Sequence, residues 1–343
     1  MPAIKYFYWS FLVTILGLVL AFYLGWTMTG TISGAMPFLL IGTVLAILEI
    51  SLSFDNAIVN ANTLQQMTEI WRKRFLTWGI LIAVFGMRIV LPLVIVALAA
   101  HITPYAAIHL ALNDPAEYSR LIDASHLSIS AFGGTFLMMV ALSYFIDQDK
   151  EIDWFQVLEI KLRKWSSIRG LEIIIVLCVV MAFTSVLPAS QSATFLFASI
   201  AGLLTFLGVE LLGNMLDVPE ETQGAVTRGG LGAFLYLEVL DASFSFDGVV
   251  GAFALTTNLF LIAIGLGIGA MYVRSMTIML VERGTLVQYR FLEHGAFYSI
   301  LTISIIMFAQ SLVHVPELVT GLVGAGLIGL ALRSSLKFNR ANS

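Results

Sequence analysis

The sequence predicts an all-α, polytopic membrane helical bundle of about ten spans, arranged as two inverted five-span repeats. Three observations predict it: an apolar composition, a series of long hydrophobic segments with basic residues on alternate connections, and one acidic motif that occurs twice. Of the 343 residues, 59% are hydrophobic and only 12% charged, and the mean hydropathy is +0.92. A soluble domain carries about 25% charged residues, so the chain is read as membrane-embedded, with the lipid bilayer as its main partner and no nucleic-acid partner expected. The net charge of −4 decides little, because charge placement outweighs the sum here. Cys178 is the single cysteine and stands in an apolar run, which excludes disulfides and thiolate metal centres.

A membrane span needs about 20 apolar residues. On that ruler the spans fall roughly at 6–26, 36–60, 75–100, 128–146, 170–187, 192–212, 230–255, 258–281, 296–313 and 316–333. Aromatic residues flank the first, which is too long for a signal-peptide core and reads as a retained span. Placing Arg72, Lys73 and Arg74 in the cytoplasm puts 15 of the 18 basic residues on that side, leaving Arg120 outside and Arg88 and Arg274 within spans. An even number of spans with both termini cytoplasmic follows. The halves are then 1–190 and 191–343, forming one integral membrane domain.

The repeated motif reads Leu48-Glu49-Ile50-Ser51-Leu52-Ser53-Phe54-Asp55 in the second span and Leu240-Asp241-Ala242-Ser243-Phe244-Ser245-Phe246-Asp247 in the seventh. Five spans separate the two copies. An odd displacement makes them cross the membrane in opposite directions, the arrangement of transporters built from inverted repeats. On a helix, Glu49, Ser53, Asn56 and Asn60 share one face while Asp55 lies on another; Asp241 and Ser245 likewise share a face, with Glu238 near it and Asp247 opposite. Either each face meets a different polar neighbour, or the helix unwinds near the Ser-x-Ser. An Asp at a helix centre costs about 2.5–3.5 kcal/mol on insertion scales. Five acids (Glu49, Asp55, Glu238, Asp241 and Asp247) exceed what Arg88 and Arg274 can neutralise as counter-charges, so some of them are expected to be protonated or to bind a cation.

Carboxylates, the hydroxyls of Ser53 and Ser245 and the amide of Asn56 are hard oxygen donors suited to Mn²⁺, Mg²⁺ or Ca²⁺ over softer ions. Clustered acids also make the proton a natural coupling ion. The metal would be cargo; no tightly bound cofactor is expected. Glu293 and His294 open the ninth span and read either as an inner relay or as interface residues.

Outside the spans, residues 153–166 read as an amphipathic helix on the cytoplasmic surface, with Asp153 and Gln156 as a capping box and Phe155, Leu158, Leu162 and Trp165 as its apolar stripe. The outer segment 101–127, with His101, His109 and His126, reads as a solvated loop.

At these motifs the chain resembles the TerC-type integral membrane proteins, the family named for tellurium resistance, in the branch with two S-x-S-F-D elements and a Glu293-His294-Gly295-Ala296 run in a late span. The resemblance implies a polytopic inner-membrane protein, and efflux of manganese by analogy with several members. It places Glu49, Asp55, Asp241 and Asp247 on the family's acidic positions. The leading expectation is therefore a divalent-cation transporter and not an enzyme. A membrane scaffold docking partners through residues 154–166 and an intramembrane aspartyl hydrolase are the competing classes.

Overall fold

The computed structural model describes residues 4–341 apart from 80–81, 83–85, 87–89, 100–101, 148–149, 151, 166–167, 169, 217–229, 257 and 314. Arg88 and His101 lie outside the described residues, and so do the side chains of Trp165 and Asp247.

Helices account for nearly all of the described chain. The first two, α1 (Ile4–Thr29) and α2 (Ile32–Leu52), form a hairpin. Its turn needs a left-handed residue, which Gly30 supplies at φ +69°, and Thr31 caps α2 by accepting from Gly34 N at 3.1 Å. The chain then runs through α3 (Phe54–Gln66), α4 (Glu69–Arg74), a π-helical turn at Phe75–Gly79, α5 (Leu91–Ala99), α6 (Pro104–Asn113) and α7 (Pro115–Ile146). The rest comprises α8 (Gln156–Trp165), α9 (Leu171–Val186), α10 (Ala189–Leu216), α11 (Leu231–Leu255), α12 (Leu259–Glu282), α13 (Thr285–Gln288), α14 (Leu292–Gln310) and α15 (Glu317–Ala341).

Seven of these, on α1, α2, α7, α10, α12, α14 and α15, are long and apolar enough to cross a membrane. Helix α9 is apolar but shorter, and α11 is as long as the others but carries Glu238, Asp241 and Asp247. The protein is thus an all-α bundle of the multi-pass membrane type. Helices α7, α12 and α14 lie at its centre: 78% of the apolar window of α7 is buried against 11% for α1. The main core joins Ile58 and Leu64 of α3 to Phe136 of α7, Phe195 of α10, Leu237 of α11 and Phe308 of α14.

Two expectations need correction. The outer segment is helical, since Thr103 and Asp114 each sit before a proline and cap the next turn, accepting from Ala106 N and Glu117 N at 3.2 Å. A capping residue followed by proline at the first helical position is a start signal, and it moves the beginning of the fourth apolar segment back to Pro115. The capping box at 153–156 does not form. The Asp153 carboxylate instead pairs with Arg163 at 2.8 Å, and Glu159 caps the helix by accepting from Trp154 N and Phe155 N. Phe155 and Leu158 of the expected stripe are exposed, as on an interfacial helix, while Glu159 is buried on the inward side. Cys178 stands on the exposed side of α9.

Candidate functional site

The site forms where the two motifs meet. The first lies across the junction of α2 and α3, where the helix breaks at Ser53 (φ −102°, ψ 15°). The backbone ladder is intact up to Ser53 N–Glu49 O (3.1 Å) and resumes only at Ala57 N–Ser53 O (3.2 Å). The second motif lies inside α11, which runs unbroken from Leu231 to Leu255. Unwinding near the Ser-x-Ser therefore occurs in the first copy and not in the second.

Two contacts fix how these elements cross. Asn60 Nδ2 donates to Asp241 Oδ1 at 3.1 Å. Glu49 lies against Gly248, where an added Cβ would sit 2.7 Å from Glu49 Oε2. Ascending from 49 to 60 on one element thus descends from 248 to 241 on the other. The motif elements are antiparallel, as the odd displacement predicts. Asn56 falls between Glu49 and Asn60, and Ser245 between Gly248 and Asp241, so both belong to the same seam.

The seam is dry and rich in oxygen. Glu49, Ser53, Asn56, Asn60, Glu238, Asp241 and Ser245 are all buried. Ser53 Oγ donates to Glu49 Oε1 at 3.1 Å. Beyond that, Asn56 Oδ1, Asn60 Oδ1, Ser245 Oγ and both carboxylate oxygens of Glu238 have no hydrogen-bond partner among the described residues. Buried polar atoms are paired in more than about 90% of cases, so five orphans along one seam make an unusual concentration of free acceptors. Two glycines make the approach possible. A Cβ on Gly269 of α12 would lie 2.1 Å from Glu49 Cγ, and one on Gly79 of the π-helical turn 2.8 Å from Glu238 Oε1.

Asp55 does not join the seam. Its Oδ2 accepts from Ser299 Oγ of α14 at 2.8 Å and its Oδ1 from Asn56 N at 2.9 Å. With Thr320, Gly321 and Gly324 of α15 it lines a small cavity on the other side of the break. Among the described motif acids, Asp55 thus lies in a different environment from Glu49 and Asp241. Among the described residues no three His, Cys, Asp or Glu side chains gather as a metal-holding group.

The counter-charge assignment also changes for Arg274, which sits half-buried on α12. Its Nε and Nη2 donate to the Leu76 carbonyl at 3.4 and 3.3 Å, and it makes no ion pair with a described motif acid. The π-helical turn explains this, because a widened turn presents a carbonyl outside the ordinary i→i−4 ladder. Arg274 is thus not the counter-charge of a described motif acid.

Glu293 and His294 tie three parts of the molecule together. Asn62 Nδ2 donates to Glu293 Oε1 at 2.8 Å, joining α14 to α3. His294 Nε2 lies 2.7 Å from the Ile152 carbonyl, which can only accept, so Nε2 carries a proton and Nδ1 at 3.3 Å faces the Tyr144 hydroxyl. Beside them is a buried cluster that the sequence reading passed over. Glu159 accepts from Tyr298 Oη at 2.9 Å, pairs with Lys150 and approaches His294 Nε2 at 3.4 Å. Burial pushes the Glu159 carboxyl up, but hydrogen bonds from His294, Lys150 and the Phe155 amide outweigh it and hold it at about 2. Nothing in a charged connecting stretch marks which glutamate turns inward. Ser299 and Thr320 were missed for a related reason: small hydroxyls in apolar helices usually bond their own backbone.

A family model described as a protein of unknown function, DUF475, matches residues 54–342, most of the chain, and the protein belongs to that family. The match takes in Asp55 and the whole second motif. No curated protein and no solved structure matches the chain.

Proposed function

We propose that this member of the DUF475 family is a divalent-cation transporter, and that the seam between α2–α3 and α11 holds the ion in transit. The observation that carries the reading is the antiparallel crossing of two acid-bearing motifs with free buried oxygens between them. Burying carboxylates costs several kcal/mol each, and a cation passing through the seam offsets part of that cost. Glu49 and Asp241 would supply the charge, Glu238 a further acid, and Ser53, Asn56, Asn60 and Ser245 neutral oxygens. This donor set suits Mn²⁺, Mg²⁺ or Ca²⁺; the TerC resemblance favours Mn²⁺ and efflux across an inner membrane, with protons as the coupling ion.

The ten-span count, the inverted repeats and the cytoplasmic termini are part of the same proposal. Packing supports it: α1 packs on α2 as α10 does on α11, α7 on α9 as α14 on α15, and α3 meets α14 as α11 meets α7. Those pairs exchange under a displacement of five spans.

The test is metal flux into proteoliposomes across Mn²⁺, Mg²⁺, Ca²⁺ and Zn²⁺, with and without a pH gradient. Wild-type protein should carry Mn²⁺, and Glu49→Gln and Asp241→Asn should each abolish flux while unfolding at a near-native temperature. Undiminished Mn²⁺ flux in the double variant would overturn the proposal.

A further inference from the structure

The break between α2 and α3 frees more than the seam uses. The helix is interrupted at Ser53, between the bonds Ser53 N–Glu49 O and Ala57 N–Ser53 O, which leaves the carbonyls of Ile50 and Leu52 without the i+4 bonds that would carry it through. Phe54, Asp55 and Asn56 instead open a new helix, and Asn56 N bonds to Asp55 Oδ1. Ser51, Leu52 and Asp55 then line the cavity against Ile303, Thr320 and Gly324. Thr320 is 2% exposed, and its hydroxyl has no hydrogen-bond partner among the described residues. Gly324 keeps this wall open: a Cβ there would lie 2.7 Å from Ser299 Oγ and 3.7 Å from Asp55 Oδ2.

From this geometry we infer a second cation site at the helix break, built for one dehydrated monovalent cation of about sodium's size and separate from the seam. The cavity has room for roughly a single water-sized occupant. Its formal charge is one carboxylate, Asp55, which balances one positive charge and leaves a divalent ion under-compensated. The remaining donors are neutral oxygens: the Thr320 and Ser299 hydroxyls and the carbonyls released where α2 ends. Freed carbonyls at the ends of discontinuous spans hold small monovalent ions in this way. Asp55 accepts at both oxygens from Asn56 N and Ser299 Oγ, as an ionised carboxylate does.

The site is testable without any transport assay, so its failure is distinct from failure of the transporter reading. The experiment is equilibrium binding of ²²Na⁺ to the full-length protein in detergent, free of divalent ions. It is paired with thermal unfolding in Na⁺, K⁺ and choline at equal ionic strength. Wild-type protein should bind Na⁺ saturably at one per chain and unfold at a higher temperature in Na⁺ than in K⁺ or choline. Thr320→Val keeps the shape of the wall but removes the unpaired oxygen, so it should weaken Na⁺ binding about tenfold and erase the Na⁺-specific shift. Glu49→Gln should leave both intact. A wild-type protein indifferent to Na⁺, or Na⁺ binding unaltered in Thr320→Val, would overturn the inference. So would loss of Na⁺ binding in Glu49→Gln with retention in Thr320→Val. Because Val removes a buried unpaired hydroxyl, a purely structural Thr320 predicts equal or higher stability with no change in ion dependence.

Discussion

The two copies of the motif share a spelling but not a conformation. Ser51 and Ser243 behave alike, each donating to the carbonyl four residues back at 2.8 and 3.0 Å. The paths part at the next serine. Ser53 donates to the Glu49 carboxylate one turn earlier, whereas Ser245, one turn after Asp241, has no partner among the described residues. Asp241 is one methylene shorter than Glu49, and it accepts from Asn60 across the seam. The first copy breaks and sends Asp55 to α14; the second stays helical. The shared S-x-S-F-D spelling therefore does not by itself decide whether this motif unwinds.

The largest effect that sharpens this contrast is steric. Gly269→Ala would push a methyl to within 2.1 Å of Glu49 Cγ and 2.5 Å of its Cβ, near the backbone and unable to swing away. It should cost at least about 1–3 kcal/mol, read as a lowered thermal midpoint in detergent. Gly326→Ala meets nothing within 4 Å and should leave the midpoint unchanged. Equal midpoints for the two variants would break the claim that Glu49 is wedged into α12.

A smaller effect separates the two serines. Ser53→Ala leaves a buried Glu49 oxygen short of its donor and should cost about 1–3 kcal/mol, whereas Ser245→Ala removes an unpaired hydroxyl and should be neutral or mildly stabilising. Chemical unfolding of the two variants side by side checks the asymmetry. Similar losses would mean that the copies are energetically equivalent.

The mildest perturbation is pH, acting on the surface connection and not on the seam. Glu159 has its carboxyl depressed from 4.5 to about 2 on folding, so the stability it contributes is present above about pH 4.5 and lost as pH falls toward 2. Proteolysis of the 150–165 segment should be slow at pH 6 and accelerate below about pH 4. A Glu159→Gln variant should be cleaved faster at pH 6, and a rate independent of both changes would show that the carboxylate does not dock the segment.

Much of the bundle was legible in the sequence because hydropathy follows span length, and the paired motifs declared their opposite directions through simple counting. The alternatives left open at the Ser-x-Ser both occur, since the first copy breaks and its two acids also meet different neighbours. What stayed hidden depends on distant partners. Asp55 turns to Ser299, 244 residues away, and Arg274 finds the Leu76 carbonyl of a π-helical turn that no pattern announces. Glu159 sat among charged residues that read as a solvated face, yet it is fully buried. Helix α6 was missed because capping residues before Pro104 and Pro115 were read as loop polarity.

The central claim is that the seam, and not the cavity at Asp55, binds the divalent ion. Electron paramagnetic resonance of Mn²⁺ titrated into the purified protein tests it most directly, since bound ion leaves the sharp six-line spectrum of the free aquo ion. The account predicts one saturable Mn²⁺ per chain, lost in Glu49→Gln and in Asp241→Asn and retained in Thr320→Val. Mn²⁺ binding that survives both seam variants but disappears in Thr320→Val would contradict it.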